Sequence, residues 1–264
     1  MGVDGLLRAD TATDGQYICL YRGPKASHVL RYHPGRVFHT KDGAIELGES
    51  LSFGDVVTSH TGVQFHVLRP NTSQLMFAVK RQTTIVYPKD AGLILLELGI
   101  TAGMHIAEVG SGSGALSVVF SRIIGNEGRV FSFERRHDFH RLARRNHRAM
   151  SPFENVEFEY RDVAQEGFGD ITVDALFIDV PEPWDIVPAA SRVLRPGASV
   201  GSICPNVEQV HQTCTALEEH GFIRIRSMET MLRELRVRPQ GTSPEAYGIK
   251  HTGYLVFAEL AGQA

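Results

Sequence analysis

Glu108-Val-Gly-Ser-Gly-Ser-Gly114 constrains this chain more than any other stretch. It follows a short apolar run over residues 104–109 and opens a helical pattern over 115–124. A strand that turns through alternate glycines into a helix is the phosphate- or nucleoside-side turn of an open α/β sheet, where ligands bind at the carboxyl ends of strands. Glycines there accept positive φ and let the backbone close on a ligand.

The rest of the chain alternates in the same way. Residues 129–134, 156–160, 173–179, 198–203 and 254–257 read as strands, with helices over 89–98, 135–150, 186–194 and 208–220. That alternation predicts a parallel sheet with helices on both faces. Residues 1–75 differ, with short apolar runs between turn signals. Tyr17-Ile-Cys-Leu-Tyr21 ends at Gly23-Pro24, His33-Pro-Gly35 precedes Val37-Phe38, and residues 63–67 alternate apolar and polar. Lys41-Asp-Gly43 is a hairpin turn. Two domains are expected: a small antiparallel β domain over 1–75, and an α/β domain over 76–264.

Composition narrows the functional classes. Of 264 residues, 42% are hydrophobic and 22% charged, enough apolar material for a core and against disorder. The longest apolar stretch, 92–100, is broken by Glu97 and falls short of the ~20 residues that span a bilayer. Residues 1–6 carry no cationic segment before an apolar one, so no signal peptide is read, and no Ser or Thr at position 6 invites myristoylation. Cys19, Cys204 and Cys214 form no CxxC, which predicts a reducing, cytoplasmic setting. The twelve histidines show no metal-ligand spacing, and no G-x-S-x-G elbow marks a hydrolase.

The loop spacing is E-x-G-x-G-x-G, not the G-x-G-x-x-G of a pyrophosphate site. Glu108 would repel a phosphate and attract a cation, and S-adenosylmethionine carries both an ammonium and a sulfonium. Glu134 ends the second strand, about 20 residues after the loop, where a carboxylate holds ribose hydroxyls. Asp162, after the third strand, can take the adenine amino group. The fourth strand ends in Asp179-Val-Pro-Glu-Pro-Trp184. Two prolines stiffen that turn, Trp184 offers an aromatic wall, and the segment resembles those of methyltransferases acting on base amino nitrogens.

Taken together, the chain resembles the tRNA (adenine-58-N1)-methyltransferase family, catalytic subunit. The resemblance rests on Phe38-His-Thr-Lys-Asp-Gly43, Lys80-Arg81, Tyr87-Pro-Lys-Asp-Ala91, the glycine loop, Gly128-Arg-Val-Phe-Ser-Phe-Glu134, Asp179 to Trp184, Pro205-Asn-Val-Glu-Gln-Val210 and His251-Thr-Gly-Tyr254. It implies a Rossmann-like class I methyltransferase domain. It implies S-adenosylmethionine held by Ile85, Val86, Glu108, Gly110, Ser111, Gly112, Ser113, Gly114, Ala115, Glu134, Asp162, Val163 and Asp179. Asp179 and Tyr87 are the implied catalytic residues; Trp184, Arg141, Arg145 and His251 are candidate tRNA contacts. It also implies a homotetramer or, alternatively, a heteromer with a related non-catalytic subunit, and no metal. Two positions depart from the family pattern: Phe139, five residues after Glu134, is usually polar, and Ile203 stands where many bacterial members have Tyr.

The implied chemistry suits these residues. Adenine N1 already carries a lone pair, so the protein must align it with the methyl group and offset the positive charge that grows on the ring. A carboxylate accepting from the exocyclic amine does both. N1 lies on the pairing edge, so the base must be flipped out, with Tyr87 and Trp184 as stacking faces. The basic run 135–148 places His137, Arg141, Arg144, Arg145 and Arg148 on one helical face, a solvated face or a phosphate track. Competing readings are a methyltransferase for another RNA, a protein or a small molecule, and a non-catalytic subunit of a tRNA-modifying complex.

Overall fold

The computed structural model describes residues 9–24, 26–245 and 251–262. The 1–6 segment discussed above lies outside them. The chain divides into two compact units between Val79 and Lys80.

In the first unit, β1 (Tyr17–Gly23), β2 (Ala26–Arg31), β5 (Val56–Thr58) and β6 (Gln64–Leu68) form an antiparallel sheet in the order β2-β1-β6-β5. The alternation over β6 is obeyed, with Phe65 and Val67 buried and their neighbours exposed. β3 (Val37–Thr40) and β4 (Gly43–Glu46) make the hairpin expected at Lys41-Asp-Gly43, with Thr40 opposite Gly43. Ile18, Leu20, Tyr32, Ile45 and Leu47 join Phe65 and Val67 in its core. Helix α1 (Thr72–Ala78) starts with a capping box between Asn71 and Gln74.

In the second unit, seven strands run in the order β12-β15-β11-β10-β7-β8-β9. They are β7 (His105–Val109), β8 (Arg129–Glu134), β9 (Val156–Tyr160), β10 (Val173–Ile178), β11 (Leu194–Cys204), β12 (Phe222–Met228) and β15 (Tyr254–Leu260). The helices are α2 (Pro88–Glu97), α3 (Ala115–Ile124), α4 (His137–Met150), α5 (Val163–Glu166), α6 (Val187–Val193) and α7 (Val207–Glu219). β7 to β11 are parallel, each reached through a helical crossover. The expectation of a wholly parallel sheet needs correcting: β15 runs antiparallel to both β11 and β12. Between β12 and β15 the described chain holds only the hairpin β13 (Leu235–Arg238) and β14 (Gly241–Pro244), with no helix to carry it back. β12 itself was missed because its Phe-Ile-Arg-Ile-Arg run carries an irregularity between Ile223 and Arg226, with Arg224 at φ 52, which interrupts the alternation.

The core beneath the sheet's carboxyl edge is apolar and closed, with Ala107, Phe133, Leu176, Ile178 and Val256 buried. Helix α4 turns His140, Leu142, Ala143, Asn146, His147 and Met150 inward. His137, Arg141, Arg144, Arg145 and Arg148 stay exposed, as the helical period requires.

Candidate active site

The carboxyl ends of β7, β8, β9 and β10, with the extended segment 83–86, enclose a cavity of about 320 Å³. Each strand delivers an acid to it, and register explains how. Glu108 lies opposite Ser132 across the β7–β8 pair. Ser132 Oγ donates to Glu108 Oε2 at 2.6 Å, and Ser117 Oγ of α3 donates to the same oxygen at 2.5 Å. Glu108 is 1% exposed, and burial lifts its pKa from 4.5 to about 7; the two serine bonds pull the other way, and Asp179 and Glu134 add to the rise.

The glycine loop crosses close over the strand ends. Gly110 and Ser111 N–H both donate to the Phe133 carbonyl. Gly112 N–H donates to Glu134 Oε2 at 3.0 Å, and Arg136 N–H donates to Glu134 Oε1 at 2.9 Å. A Cβ on Gly110, at φ +94, would fall 2.1 Å from the Asp179 carbonyl oxygen, so only glycine lets the β7 and β10 ends approach this closely. Asp179 N–H donates to the Val109 carbonyl, fixing the start of the next turn. The Asp179 side chain is open to the cavity but otherwise crowded by protein; that crowding, with Glu134 nearby, raises its pKa from 3.8 to about 6. Asp162 caps α5, accepting from Ala164 N–H at 3.2 Å.

Ile85, Val86, Glu108, Gly110, Ser111, Gly112, Ser113, Ala115, Glu134, Asp162, Val163 and Asp179 therefore line one cavity. Gly114 does not; it faces α4, where a Cβ would meet Ala143 Cα at 2.9 Å. Tyr87 and Trp184 are half-buried outside the lining: Tyr87 is the residue before α2, and Trp184 lies in the 3₁₀ turn Pro183–Asp185. Arg141 and Arg145 lie on the exposed face of α4. His251 is exposed and bonded to Glu229 at 2.7 Å, which raises its pKa. Phe139 lies under the Arg136 guanidinium, 3.7 Å from its ring centre. Ile203 packs near Gly253.

Sequence reasoning missed several contributors. Arg135, Arg136 and Arg161 line the cavity, each paired with an acid: Glu182 at 3.6 Å, Glu134 at 3.4 Å and Glu159 at 3.0 Å. Six carboxylates thus face three guanidiniums, a surface that favours a cationic guest. Asn146 was read as part of a basic helix, yet it is buried and donates to the carbonyls of Lys80 and Ser113, tying segment 80–86 to the loop. Gln209 donates to the Pro181 carbonyl at 2.8 Å and braces the turn after Asp179. Among the described residues no group of three His, Cys, Asp or Glu is arranged to hold a metal.

A seven-stranded sheet in this order, parallel but for β15, with a glycine loop after β7 and acids at the next strand ends, defines a class I methyltransferase. The solved structure titled SAM-dependent O-methyltransferase from Thermotoga maritima superposes with a TM-score of 0.88 at 32% identity, covering 97% of this chain and 96% of that one. The tRNA (m1A58) methyltransferase TrmI from Aquifex aeolicus gives 0.80 at 27%, covering 95% and 98%. A family model described as tRNA methyltransferase complex GCD14 subunit matches residues 64–246. The tRNA (adenine(58)-N(1))-methyltransferase TrmI of Thermus thermophilus is 33% identical over 233 residues, 88% of this chain and 89% of that protein. The chain belongs to this family of tRNA methyltransferase subunits.

Proposed function

We propose that the chain transfers the methyl group of S-adenosylmethionine to N1 of the T-loop adenine, position 58, of tRNA. The observation that carries this reading is Asp179, which opens into the same cavity as the glycine loop and Glu134. The cavity fits the cofactor on its own chemistry: a Gly110–Asp179 approach too tight for any Cβ and an excess of carboxylates for a cationic sulfonium and ammonium. When bound, that group supplies an electrophilic methyl.

In this reading Glu134 accepts from ribose hydroxyls and Asp162 from the adenine amine. Ile85 and Val86 cover one side and exclude water. Asp179 accepts a hydrogen bond from the exocyclic amine of the target base, aligns N1 and offsets the charge that develops on the ring. Tyr87 and Trp184 offer stacking faces for the flipped base. The exposed arginines of α4 follow tRNA phosphates.

We read the assembly as a homotetramer rather than a complex with a non-catalytic partner. Met231, Leu232, Leu235 and Val237, in and before the β13–β14 hairpin, are each more than 60% exposed, apolar surface of a kind that subunit contacts cover. No helix among the described residues is long and apolar enough to cross a membrane. With three free cysteines, that suits a cytoplasmic enzyme.

Asp179→Ala should lower transfer to tRNA by about a thousandfold, while S-adenosylhomocysteine affinity, measured by calorimetry, stays within about threefold. Transfer within tenfold of wild type would refute the role. Because Asp179 works as a carboxylate, kcat/KM for tRNA should fall as pH drops through about 6, roughly two units above an ordinary aspartate. A tRNA transcript lacking the T-loop adenine separates this reaction from methylation of another acceptor.

A further inference from the structure

Lys89 and Asp90, in the first turn of α2, have side chains 8% and 0% exposed. Lys89 Nζ donates to Asp90 Oδ1 at 2.7 Å, to Thr252 Oγ1 at 2.6 Å and to the Thr230 carbonyl at 2.8 Å. Thr252 Oγ1 in turn donates to Asp90 Oδ2 at 2.6 Å, and Thr230 Oγ1 donates to Asp90 Oδ1. Both hydroxyls thus relay between one ammonium and one carboxylate. His251 bonded to Glu229 ties the same two segments once more.

Helix formation does not ask for this arrangement. An ammonium in a first turn opposes the helix dipole, and burying an ion pair costs desolvation that leaves little net stability. The best-attested use of such a pair is to fix register. What it fixes follows from topology. Cys204 pairs with Tyr254, and Met228 with Leu255, so residues 229–230 leave β12, and 251–253 enter β15, at the edge where β10 delivers Asp179. The cavity is lined from the ends of β7, β8, β9 and β10, and the β11-β15-β12 part of the edge continues the sheet beyond β10. Segment 83–86, which lines the cavity, runs directly into α2 and this pair.

We propose that Lys89, Asp90, Thr230 and Thr252 are positioning residues that lock the 83–87 segment to the 229–230 and 251–253 segments and so orient the target adenine toward the methyl donor. The proposal rests on the RNA-methylation reading above. Thr252→Val removes one relay hydroxyl without stranding a charge, and Thr252→Ser keeps it. In the full chain, Thr252→Val should lower kcat on tRNA about tenfold, leave S-adenosylhomocysteine affinity within twofold, and raise amide exchange together in 83–88, 229–232 and 251–253. Thr252→Ser should restore kcat to within threefold of wild type. Thr230→Val should behave like Thr252→Val, and serves if the latter does not fold. A Thr→Val variant with kcat within twofold of wild type, or with cofactor affinity falling in step with kcat, overturns the proposal. A wild-type chain inert on tRNA overturns instead the reading beneath it.

Discussion

The two sides of the sheet's carboxyl edge are built by different means. On the β7-β8-β9 side, neighbouring parallel strands end in Glu108, Glu134 and the Arg161-Asp162 turn, and in-register pairing brings them together. Backbone groups do most of the holding: Gly110, Ser111 and Gly112 N–H all bond within the loop's own surroundings. On the β11-β15-β12 side the strands are antiparallel, and the segments at their ends are joined by side chains far apart in sequence, Lys89 and Asp90 to Thr230 and Thr252. One side is a local motif; the other is a tertiary knot. The difference teaches that the half lined by the cofactor cavity can be written in short motifs, whereas the half proposed here to orient the tRNA base depends on the whole fold.

Gly110→Ala attacks the first side where it is least able to yield. The new Cβ would meet backbone atoms of Asp179 at 2.1 and 2.9 Å, at a φ of +94 that alanine resists. Strain and overlap together cost roughly 4 kcal/mol, so S-adenosylhomocysteine affinity should fall about a thousandfold by calorimetry. If the alanine variant binds within tenfold of wild type, the rigid-loop account of that side is wrong. Set beside Thr252→Val, which should spare that affinity, the pair of variants separates the two sides directly.

This contrast also accounts for what could be read from the residues alone. The strand-turn-helix alternation from 104 to 220 depends on nearest neighbours and periods, so most elements there were predicted within a residue or two, though β11 starts four residues before the expected strand and the short α5 was not read. The acids of the cavity's lining, Glu108, Glu134, Asp162 and Asp179, were legible because each lies at or beside a strand end and the strands lie side by side, whereas Ile85 and Val86 came only from the family resemblance. β12 was not legible, since a bulge at Arg224 leaves no local period to detect; the strand at 254–257 was read, but its antiparallel direction, which follows from a missing helical crossover, was not. Nor was the job of Lys89 and Asp90: the Tyr-Pro-Lys-Asp string is visible, but its partners sit more than 130 residues away. Asn146 was hidden for the opposite reason, embedded in a run of arginines whose charge masks a buried amide.

A second prediction uses the fully buried acid of the cofactor side. Glu108 titrates at about 7 in the folded chain and near 4.5 when unfolded. Between those values the folded state holds a proton that the unfolded state has lost. Its contribution to stability is therefore complete below pH 4.5 and disappears as pH rises toward 7, a swing on the order of 3 kcal/mol. Glu108→Gln mimics the protonated acid at every pH. In urea unfolding it should match wild type near pH 5 and exceed it near pH 8. Equal stability at both would mean that Ser117 and Ser132 fully satisfy the ionised form. His147, which burial lowers to about 4, contributes the opposite slope, with stability lost as pH falls from 6.5 toward 4, so the comparison must be made between variants and not from one profile.

The smallest expected effect tests whether the division between the sides is strict. Helix α4 belongs to the cofactor side, yet its exposed arginines are the longest basic surface in the sequence, and a tRNA is large enough to reach past the edge. If Arg141 and Arg145 each neutralise one phosphate, replacing both with alanine removes about two counterions from the binding equilibrium. The loss of tRNA affinity between roughly 50 and 200 mM salt should then become about tenfold shallower than for wild type. Unchanged slopes would confine tRNA contact to the β11-β15-β12 side and leave the α4 arginines as solvated charge. A shallower slope with unchanged kcat would show that phosphates are gathered on one side of the edge while the base is oriented on the other, since charge contacts raise affinity without aligning N1 to the methyl group.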